Sequence, residues 1–376
     1  MLFHYYCNGI ILLIIMAFQV ERIFKGPGFA ETLYLGTCDG RLIIRKASNP
    51  DSHGFSRTAL VREIRLLRDL PEELKLCFPE LLNTNLGDLE ENSPELPGII
   101  YYDMPYYSPG EGWITLSVLL CEGSIDRADA IRVFGEILDT AFTYFRIDDR
   151  DPSEDYAEKT MLGAIRESLA WASSDDDFRS LFALKDLRLS GRSFHNIPGL
   201  AEYFEDSPRM RALLTPRRDR FLHGDFFPEN VLYNVNTGCW ILLDPVSVRG
   251  VHRGDFMLDI TKMEEWLKGE LPALRMGQFT VDIIGNTVDL VIHNRSGKLE
   301  HLYRLGLSEW YHDRLREPAY SGLFSREPGW DIRAPFIHAF YALCMLPLAD
   351  KRQAVARYFL AIRYMADFIE KIENSL

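Results

Sequence analysis

The segment FLHGDFFPENVLYNVNTGCWILLDPVSVRG, residues 221–250, places three oxygen-bearing side chains at a spacing suited to divalent-metal phosphate chemistry. Asp225 lies five residues before Asn230, and Asp244 follows two β-rich runs that the turn residues at 236–238 join into a predicted strand pair. Mg²⁺ takes hard oxygen ligands and keeps phosphate oxygens in its shell. We therefore predict that Asn230 and Asp244 bind the metal, while Asp225 orients a nucleophilic hydroxyl and accepts its proton.

A second pair of side chains, nearer the amino terminus, fits the same chemistry. Lys46 ends the β-rich run LIIRK, and Glu63 falls on the apolar stripe that Leu60, Ile64 and Leu67 form along a predicted helix. A carboxylate on an apolar stripe is costly unless it is paired. We expect Lys46, on a strand that faces this helix, to be its partner, as a phosphate-binding lysine requires.

The elements that must position these side chains begin with a small, sheet-rich part. Three strand-like runs, FQVERIF, ETLYLGT and RLIIRK, are separated by a glycine-containing turn at 26–28 and by an Asp39-Gly40 hairpin signal. A helix is predicted from Ser56 to Leu70, ending before Pro71, and 96–107 predicts a strand that leads into a loop. We therefore predict a first domain over 16–106, preceded by an additional segment, 1–15.

Helices predominate in the remainder of the chain, which we predict as a second domain over 107–376. The hydrophobic periodicity predicts helices over 128–145, 156–171, 335–348 and 352–373. One departure from this helical character is 279–293, which predicts a strand pair around Gly285-Asn286.

Composition restricts the class of protein. The chain has 376 residues, is 47% hydrophobic and 26% charged, and carries a net charge of −13, so we expect a globular protein that does not bind nucleic acid. None of its six cysteines stands in a C-x-x-C pair, which favours reduced thiols and a cytoplasmic location.

The first twenty residues are strongly apolar, but they fit a membrane anchor poorly. The run from Gly9 to Phe18 is short for a span, and neither Lys nor Arg occurs before Arg22. A start at Met16 gives a complete first strand. We therefore expect no stable membrane insertion, and residues 1–15 to be dispensable for folding.

Three motifs carry a resemblance to a known family. LHGDFFPENVL, LLDP and the segment GDFMLDITKM at 254–263 resemble those of the aminoglycoside phosphotransferase and choline kinase family, the small-molecule branch of protein-kinase-like folds. The resemblance extends from about Phe18 to the terminal helices. It implies an α+β bilobal fold with a small antiparallel-sheet N-lobe and a larger helical C-lobe, ATP and Mg²⁺ as cofactors, and transfer of the γ-phosphate to a hydroxyl of a small molecule such as an amino sugar, sugar or amino alcohol.

The resemblance also implies a role for each matching residue. It makes Asp225 the catalytic base, with Asn230 and Asp244 on Mg²⁺. The nucleotide-binding residues that it implies are Gly26 and Gly28 in the turn over the phosphates, Lys46 with its partner Glu63, and the hinge residues Asp103, Met104 and Tyr106. His223 and Asp259 support the catalytic loop.

Several alternatives stay open on the sequence alone. One is a catalytically silent nucleotide-binding scaffold, and another is a metal-dependent hydrolase that uses His223, Asp225 and Asp244. A one-residue change of register would turn Arg45 rather than Lys46 towards the phosphates. Asp244 is followed by Pro-Val-Ser instead of Phe-Gly, and the 279–293 strand pair is outside the common family pattern. The acceptor and the oligomeric state are undetermined.

Overall fold

The computed structural model describes most of the chain. The described residues are 18–25, 31–49, 55–88, 97–147, 149–184, 186–189, 191–246 and 252–374. The predicted phosphate turn with Gly26 and Gly28 and the additional segment 1–15 lie outside them. No helix among the described residues has both the length and the apolar character needed to cross a membrane.

The strands are short and occur throughout the described chain. In chain order they are β1 (Gln19–Lys25), β2 (Glu31–Cys38), β3 (Arg41–Ser48), β4 (Asn83–Thr84), β5 (Tyr101–Pro105), β6 (Trp113–Thr115), β7 (Asp149–Arg150), β8 (Asp186–Leu189), β9 (Arg192–His195), β10 (Asp219–Phe221), β11 (Val231–Asn234), β12 (Trp240–Leu242), β13 (Arg253–Gly254), β14 (Phe279–Ile284) and β15 (Thr287–Ile292).

The α-helices are concentrated after residue 115. In chain order they are α1 (Phe55–Asp69), α2 (Glu72–Lys75), α3 (Leu116–Glu122), α4 (Arg127–Ile147), α5 (Gly163–Ser174), α6 (Asp176–Phe182), α7 (Pro208–Leu214), α8 (Met257–Leu267), α9 (Glu270–Arg275), α10 (Glu300–Leu305), α11 (Leu307–Leu315), α12 (Pro318–Phe324), α13 (Trp330–Cys344) and α14 (Lys351–Glu373). A π-helical turn, Glu158–Leu162, precedes α5, and short 3₁₀ turns include Pro228–Asn230.

The chain divides into two compact units that interleave along the sequence. Unit 1 comprises the described residues of Met1–Thr115 and Asn230–Val251, and unit 2 those of Leu116–Glu229 and His252–Leu376. The antiparallel amino-terminal sheet and the larger helical part confirm the predicted α+β fold class.

Unit 1 is built on a five-stranded antiparallel sheet in the order β1-β2-β3-β5-β4. The Asp39-Gly40 turn joins β2 to β3, with both residues at positive φ (49° and 75°), as a tight two-residue hairpin requires. Helix α1 begins at Phe55 and buries its apolar stripe, so that Leu60 and Ile64 are fully enclosed. Strands β6, β11 and β12 form a second sheet, with β11 in the centre.

Unit 2 has a helical core to which two small sheets are added. Helix α8 is buried along nearly all of its length, with Trp266 fully enclosed. Strand β10 lies between β7 and β13 and leads into the loop that contains His223, Gly224 and Asp225. The predicted strand pair at 279–293 is present as β14 and β15, and β15 pairs in parallel with β8 in the sheet β14-β15-β8-β9.

Candidate functional site

Lys46 lies at the centre of a buried cluster of charges in unit 1. Its Nζ donates hydrogen bonds to both carboxylate oxygens of Glu63, at 3.0 and 2.8 Å, and a third to Asp244 Oδ1 at 2.9 Å. The side chains of Lys46 and Glu63 are only 7% and 5% exposed. The ion pair expected between the strand lysine and the helix glutamate is therefore present, and Asp244 joins it.

The neighbouring cation, Arg45, points to the opposite face of the sheet. It makes two hydrogen bonds to the Asp103 carboxylate, at 2.7 and 2.9 Å. Its guanidinium also lies 4.2 Å from the ring centroid of Phe18 and 3.9 Å from that of Tyr101. Because successive side chains of a strand alternate between faces, Lys46 is the residue that turns towards α1 and Asp244.

The cluster around Lys46 carries an excess of negative charge. Glu31 Oε2 lies 3.9 Å from Nζ, so three carboxylates face one ammonium group, and the Tyr102 hydroxyl donates to Glu63 Oε1 at 2.9 Å. Burial lowers the pKa of Lys46, but the carboxylates of Asp244 and Glu63 outweigh this effect and raise its pKa well above the usual value. Lys46 is therefore a cation at neutral pH. Burial raises the pKa of Glu63 to about 7, and a further positive ion would stabilise the charged form of these carboxyl groups.

The β11–β12 hairpin brings Asn230 and Asp244 to the same end of unit 1. Val231 is paired with Leu242, and one residue further on the Leu243 N–H donates to the Asn230 carbonyl at 2.7 Å. Asp244 then adopts a positive φ of 53°, and its side chain is 52% exposed. The carboxylate is therefore half open to solvent although it follows a buried strand.

The side chains of Asn230 and Asp244 suit a Mg²⁺ ion that is shared with phosphates and water better than a metal ion whose ligands all come from the protein. Within the described part of the chain, no group of three or more His, Cys, Asp or Glu side chains is arranged to hold a metal ion. Mg²⁺ is typically bound by one or two carboxylates, with water and substrate phosphates completing its shell. The amide oxygen of Asn230, the Asp244 carboxylate and the negative surplus beside them match that pattern.

The three predicted hinge residues lie at the end of β5, in different environments. Asp103 is fully buried, and besides binding Arg45 its carbonyl accepts the Leu82 N–H at 2.9 Å. Met104 is buried and is paired with Ile44 of β3, whereas Tyr106 follows the end of the strand and is half-buried. Asp103 is thus used inside the sheet, which leaves the backbone from Met104 onwards as the candidate for recognising a base.

In unit 2, Asp259 of α8 holds the loop that carries the predicted base. Its two carboxylate oxygens accept the N–H groups of His223 and Gly224, each at 2.8 Å, and the Tyr144 hydroxyl donates to it at 3.1 Å. Burial raises the pKa of Asp259 to about 7, against the effect of these N–H groups. His223 is fully buried and its Nδ1 lies 3.3 Å from the Asp225 nitrogen, so both residues shape the loop.

Asp225 itself is paired with a cation that the sequence-based predictions omit. Lys262 Nζ lies 3.2 Å from Asp225 Oδ1, and their side chains are 10% and 28% exposed. The rings of Phe227 and Tyr341 lie under the ammonium group, at 5.2 and 4.5 Å. Lys262 stands three residues after Asp259 in the motif GDFMLDITKM, hence on the same helix face, and this spacing was the available signal.

No protein-family model and no curated protein matches the sequence. Among solved structures, aminoglycoside phosphotransferase APH(4)-Ia is similar over 95% of this chain and 99% of its own, at 15% identity and a TM-score of 0.51. A thermostable mutant of that enzyme in a ternary complex with ADP and hygromycin B matches over 95% and 97%, at 14% identity and 0.49. Choline kinase LicA from Streptococcus pneumoniae matches over 96% and 99%, at 14% identity and 0.45.

The similarity to APH(4)-Ia shows that this chain has the fold of an aminoglycoside phosphotransferase. This confirms, at the level of the fold, the resemblance carried by the motifs LHGDFFPENVL, LLDP and GDFMLDITKM. The matched structures are phosphotransferases of small molecules, an aminoglycoside in one case and choline in another.

Proposed function

We propose that this protein is a Mg-ATP-dependent phosphotransferase that moves the γ-phosphate to a hydroxyl group of a small molecule. The observation that carries the proposal is the buried Lys46 ammonium, held by Glu63 and Asp244. Removing charged groups from water is costly, and their mutual attraction often fails to repay that cost. A buried ion pair is therefore poorly explained by a purely structural role. The Lys46 ammonium is a fixed positive group, and the half-exposed Asp244 carboxylate beside it could bind a metal ion. A bound triphosphate needs both a cation and a metal ion at its phosphates.

Each residue would contribute by position and charge. Lys46 would bind nucleotide phosphates, while Asn230 and Asp244 would hold Mg²⁺, which supplies charge neutralisation on the phosphates when bound. Asp225 would accept a hydrogen bond from the acceptor hydroxyl and receive its proton. His223 and Asp259 would keep the loop in place. Such a site accelerates transfer through orientation and preorganised electrostatics, with little covalent chemistry from the protein.

The remaining assignments follow the same scheme. The adenine would be recognised by the backbone of Met104 and Tyr106, and the turn of Gly26 and Gly28 would cover the phosphates. Residues 16–106 would act as the nucleotide-binding lobe and 107–376 as the lobe with the catalytic loop. An amino sugar, a sugar or an amino alcohol would be the acceptor, and the reaction would take place in the cytoplasm, where ATP is supplied.

The experiment is a screen of ATP consumption over amines, sugars and nucleosides, with and without Mg²⁺. The expected result is an acceptor-stimulated, Mg²⁺-dependent release of ADP by the wild-type chain. Lys46→Met should lower kcat/KM by at least about 100-fold, because it removes the ammonium group that pairs with Glu63 and Asp244 and would bind the phosphates.

Lys298→Met serves as the matched control, since Lys298 is exposed and has no carboxylate partner among the described residues. Binding of ATP without consumption in the presence of any acceptor would favour the silent scaffold instead. Acceptor turnover that is independent of nucleotide would point to the hydrolase.

A further inference from the structure

An arginine-lined cavity of about 580 Å³ opens on unit 2. Five arginines line it, namely Arg146, Arg217, Arg218, Arg220 and Arg326. The other lining residues are uncharged and belong to α12, and no acidic residue is among the lining residues. In a chain with a net charge of −13, such a concentration of positive charge is a specific local feature.

Two of the arginines are anchored in the walls of this cavity. Arg220, in β10, is 5% exposed and its Nη1 donates to the Phe145 carbonyl at 2.9 Å. Arg146, in the last turn of α4, donates from Nη2 to the Ala319 carbonyl at 2.6 Å. Bonds to backbone carbonyls hold both guanidinium groups in place, and the charge of the Glu327 carboxylate acts on Arg220.

The arginines at the opening are more exposed. Arg218 pairs with the exposed carboxylate of Asp151 at 2.6 Å. Arg217 and Arg326 are exposed, and within the described part of the chain neither side chain forms a salt bridge. Five guanidinium groups thus line the cavity beside the carboxylates of Asp151 and Glu327, and the mutual repulsion of the arginines would be relieved by a bound anion.

We infer that this cavity binds a small molecule that carries two or more linked phosphate groups. The planar guanidinium presents paired N–H donors that match phosphate oxygens, and several arginines can share one polyphosphate. The volume lies within the range of small-molecule sites, about 300–1,000 Å³. None of the lining residues is among those proposed to bind the nucleotide, the metal or the acceptor hydroxyl, so this inference is independent of the proposed function.

The test is isothermal titration of the full chain with sodium tripolyphosphate in the absence of Mg²⁺. We expect one ligand per chain, with affinity that falls as NaCl is raised. The double variant Arg217→Ala/Arg326→Ala should weaken binding at least tenfold. The matched control Arg179→Ala/Arg304→Ala removes two exposed arginines elsewhere in unit 2 and should leave the affinity within twofold.

Lys46→Met distinguishes this site from the proposed nucleotide site, because a ligand held at Lys46 would be lost in that variant and a ligand held by the arginines would stay. Retention of tripolyphosphate binding in Lys46→Met supports the inference. The affinities of ADP and pyrophosphate for the same variant then show whether a nucleotide or a simple polyphosphate binds more tightly. Either ranking supports the inference. Absence of saturable binding, equal weakening in both double variants, or loss in Lys46→Met alone would overturn it.

Discussion

At the scale of single residues, Asp225 should separate phosphate transfer from nucleotide binding. Its side chain is 28% exposed and lies in a loop fixed by Asp259, so it is accessible and held in place. A general base contributes about 10²–10⁴-fold to a rate. We therefore expect Asp225→Asn to lower kcat by at least about 100-fold and to leave ATP affinity within about twofold, as measured by calorimetry.

The control for Asp225→Asn is Asp282→Asn, on the exposed face of β14. This variant makes the same carboxylate-to-amide change in unit 2 and should keep the wild-type rate. Full activity in Asp225→Asn would contradict the assignment of the base.

Lys262 provides a second test at the residue scale. It holds the Asp225 carboxylate at 3.2 Å and is itself nearly buried between aromatic rings. We expect Lys262→Met to lower kcat by about tenfold while the KM for ATP stays the same, because a positioning residue affects the reacting group and not the nucleotide.

Lys262→Arg should recover part of the lost kcat, since the arginine keeps the ion pair. This recovery distinguishes a positioning role of Lys262 from an effect on the stability of the fold. Circular dichroism of the wild type and both variants would show whether all three are equally folded. An equal rise in KM and fall in kcat, with no recovery by arginine, would contradict the role given to Lys262.

At the scale of elements, a half-buried carboxylate links α8 to its neighbours and makes unit 2 sensitive to acid. Glu264 of α8 lies 3.5 Å from His338 Nε2 of α13 and 3.4 Å from His312 Nε2 of α11, and it binds Lys268. Burial raises the pKa of Glu264, but His338 and Lys268 outweigh it and hold the pKa below its usual value. The folded chain thus binds this proton less readily than the unfolded chain.

This sign fixes the expected pH dependence. The stabilisation is present above the unfolded pKa of about 4.3 and is lost as the pH falls below it. We expect the free energy of unfolding to decrease by roughly 1–2 kcal/mol more between pH 5 and pH 3 in the wild type than in Glu264→Gln. Urea titrations at each pH measure it, and Glu309→Gln, at an exposed position of α11, should follow the wild type.

Helix α1 offers a comparison between buried and exposed leucines in unit 1. Leu60 is fully buried on the stripe that also carries Glu63, whereas Leu76 is 89% exposed just after α2. Leu60→Ala should cost about 2–5 kcal/mol of unfolding free energy, and Leu76→Ala less than about 0.5 kcal/mol. Denaturant titration compares them, and equal losses would mean that the stripe does not anchor the helix.

The sequence was most informative where short-range pattern determines structure. The helix predicted from Ser56 to Leu70 is observed at Phe55–Asp69, and the Asp39-Gly40 hairpin is present, since both depend on neighbouring residues. The strand pair at 279–293 is confirmed for the same reason. The parallel pairing of β15 with β8 and the contact of Lys262 with Asp225 were not predicted, because they join distant parts of the chain that no local periodicity relates.

At the scale of the whole molecule, we expect the chain without residues 1–15 to fold and to bind ATP. The first described residue, Phe18, is 2% exposed, and its ring lies under the Arg45 guanidinium. The unit 1 core therefore includes Phe18. Gel filtration and ATP calorimetry of the shortened chain test this expectation, and aggregation would mean that 1–15 contributes to the core.

The matched control is Phe18→Ala in the shortened chain. It removes a buried aromatic ring and should cost about 3–5 kcal/mol of unfolding free energy. A shortened chain that tolerates this change as well would indicate that the Phe18 ring does not contribute to the core of unit 1.

The interleaving of the two units has a consequence for biosynthesis. Strand β6 pairs with β11 and Lys46 pairs with Asp244, all within unit 1. In each pair the second partner is translated only after residues 116–229. At about 5–20 residues per second, this delay lasts roughly 6–20 s. During this delay, the nascent chain exposes the unpaired edge of β6 and the incomplete charge cluster of Lys46. A ribosome that stalls in this interval would therefore carry a chain that chaperones can bind.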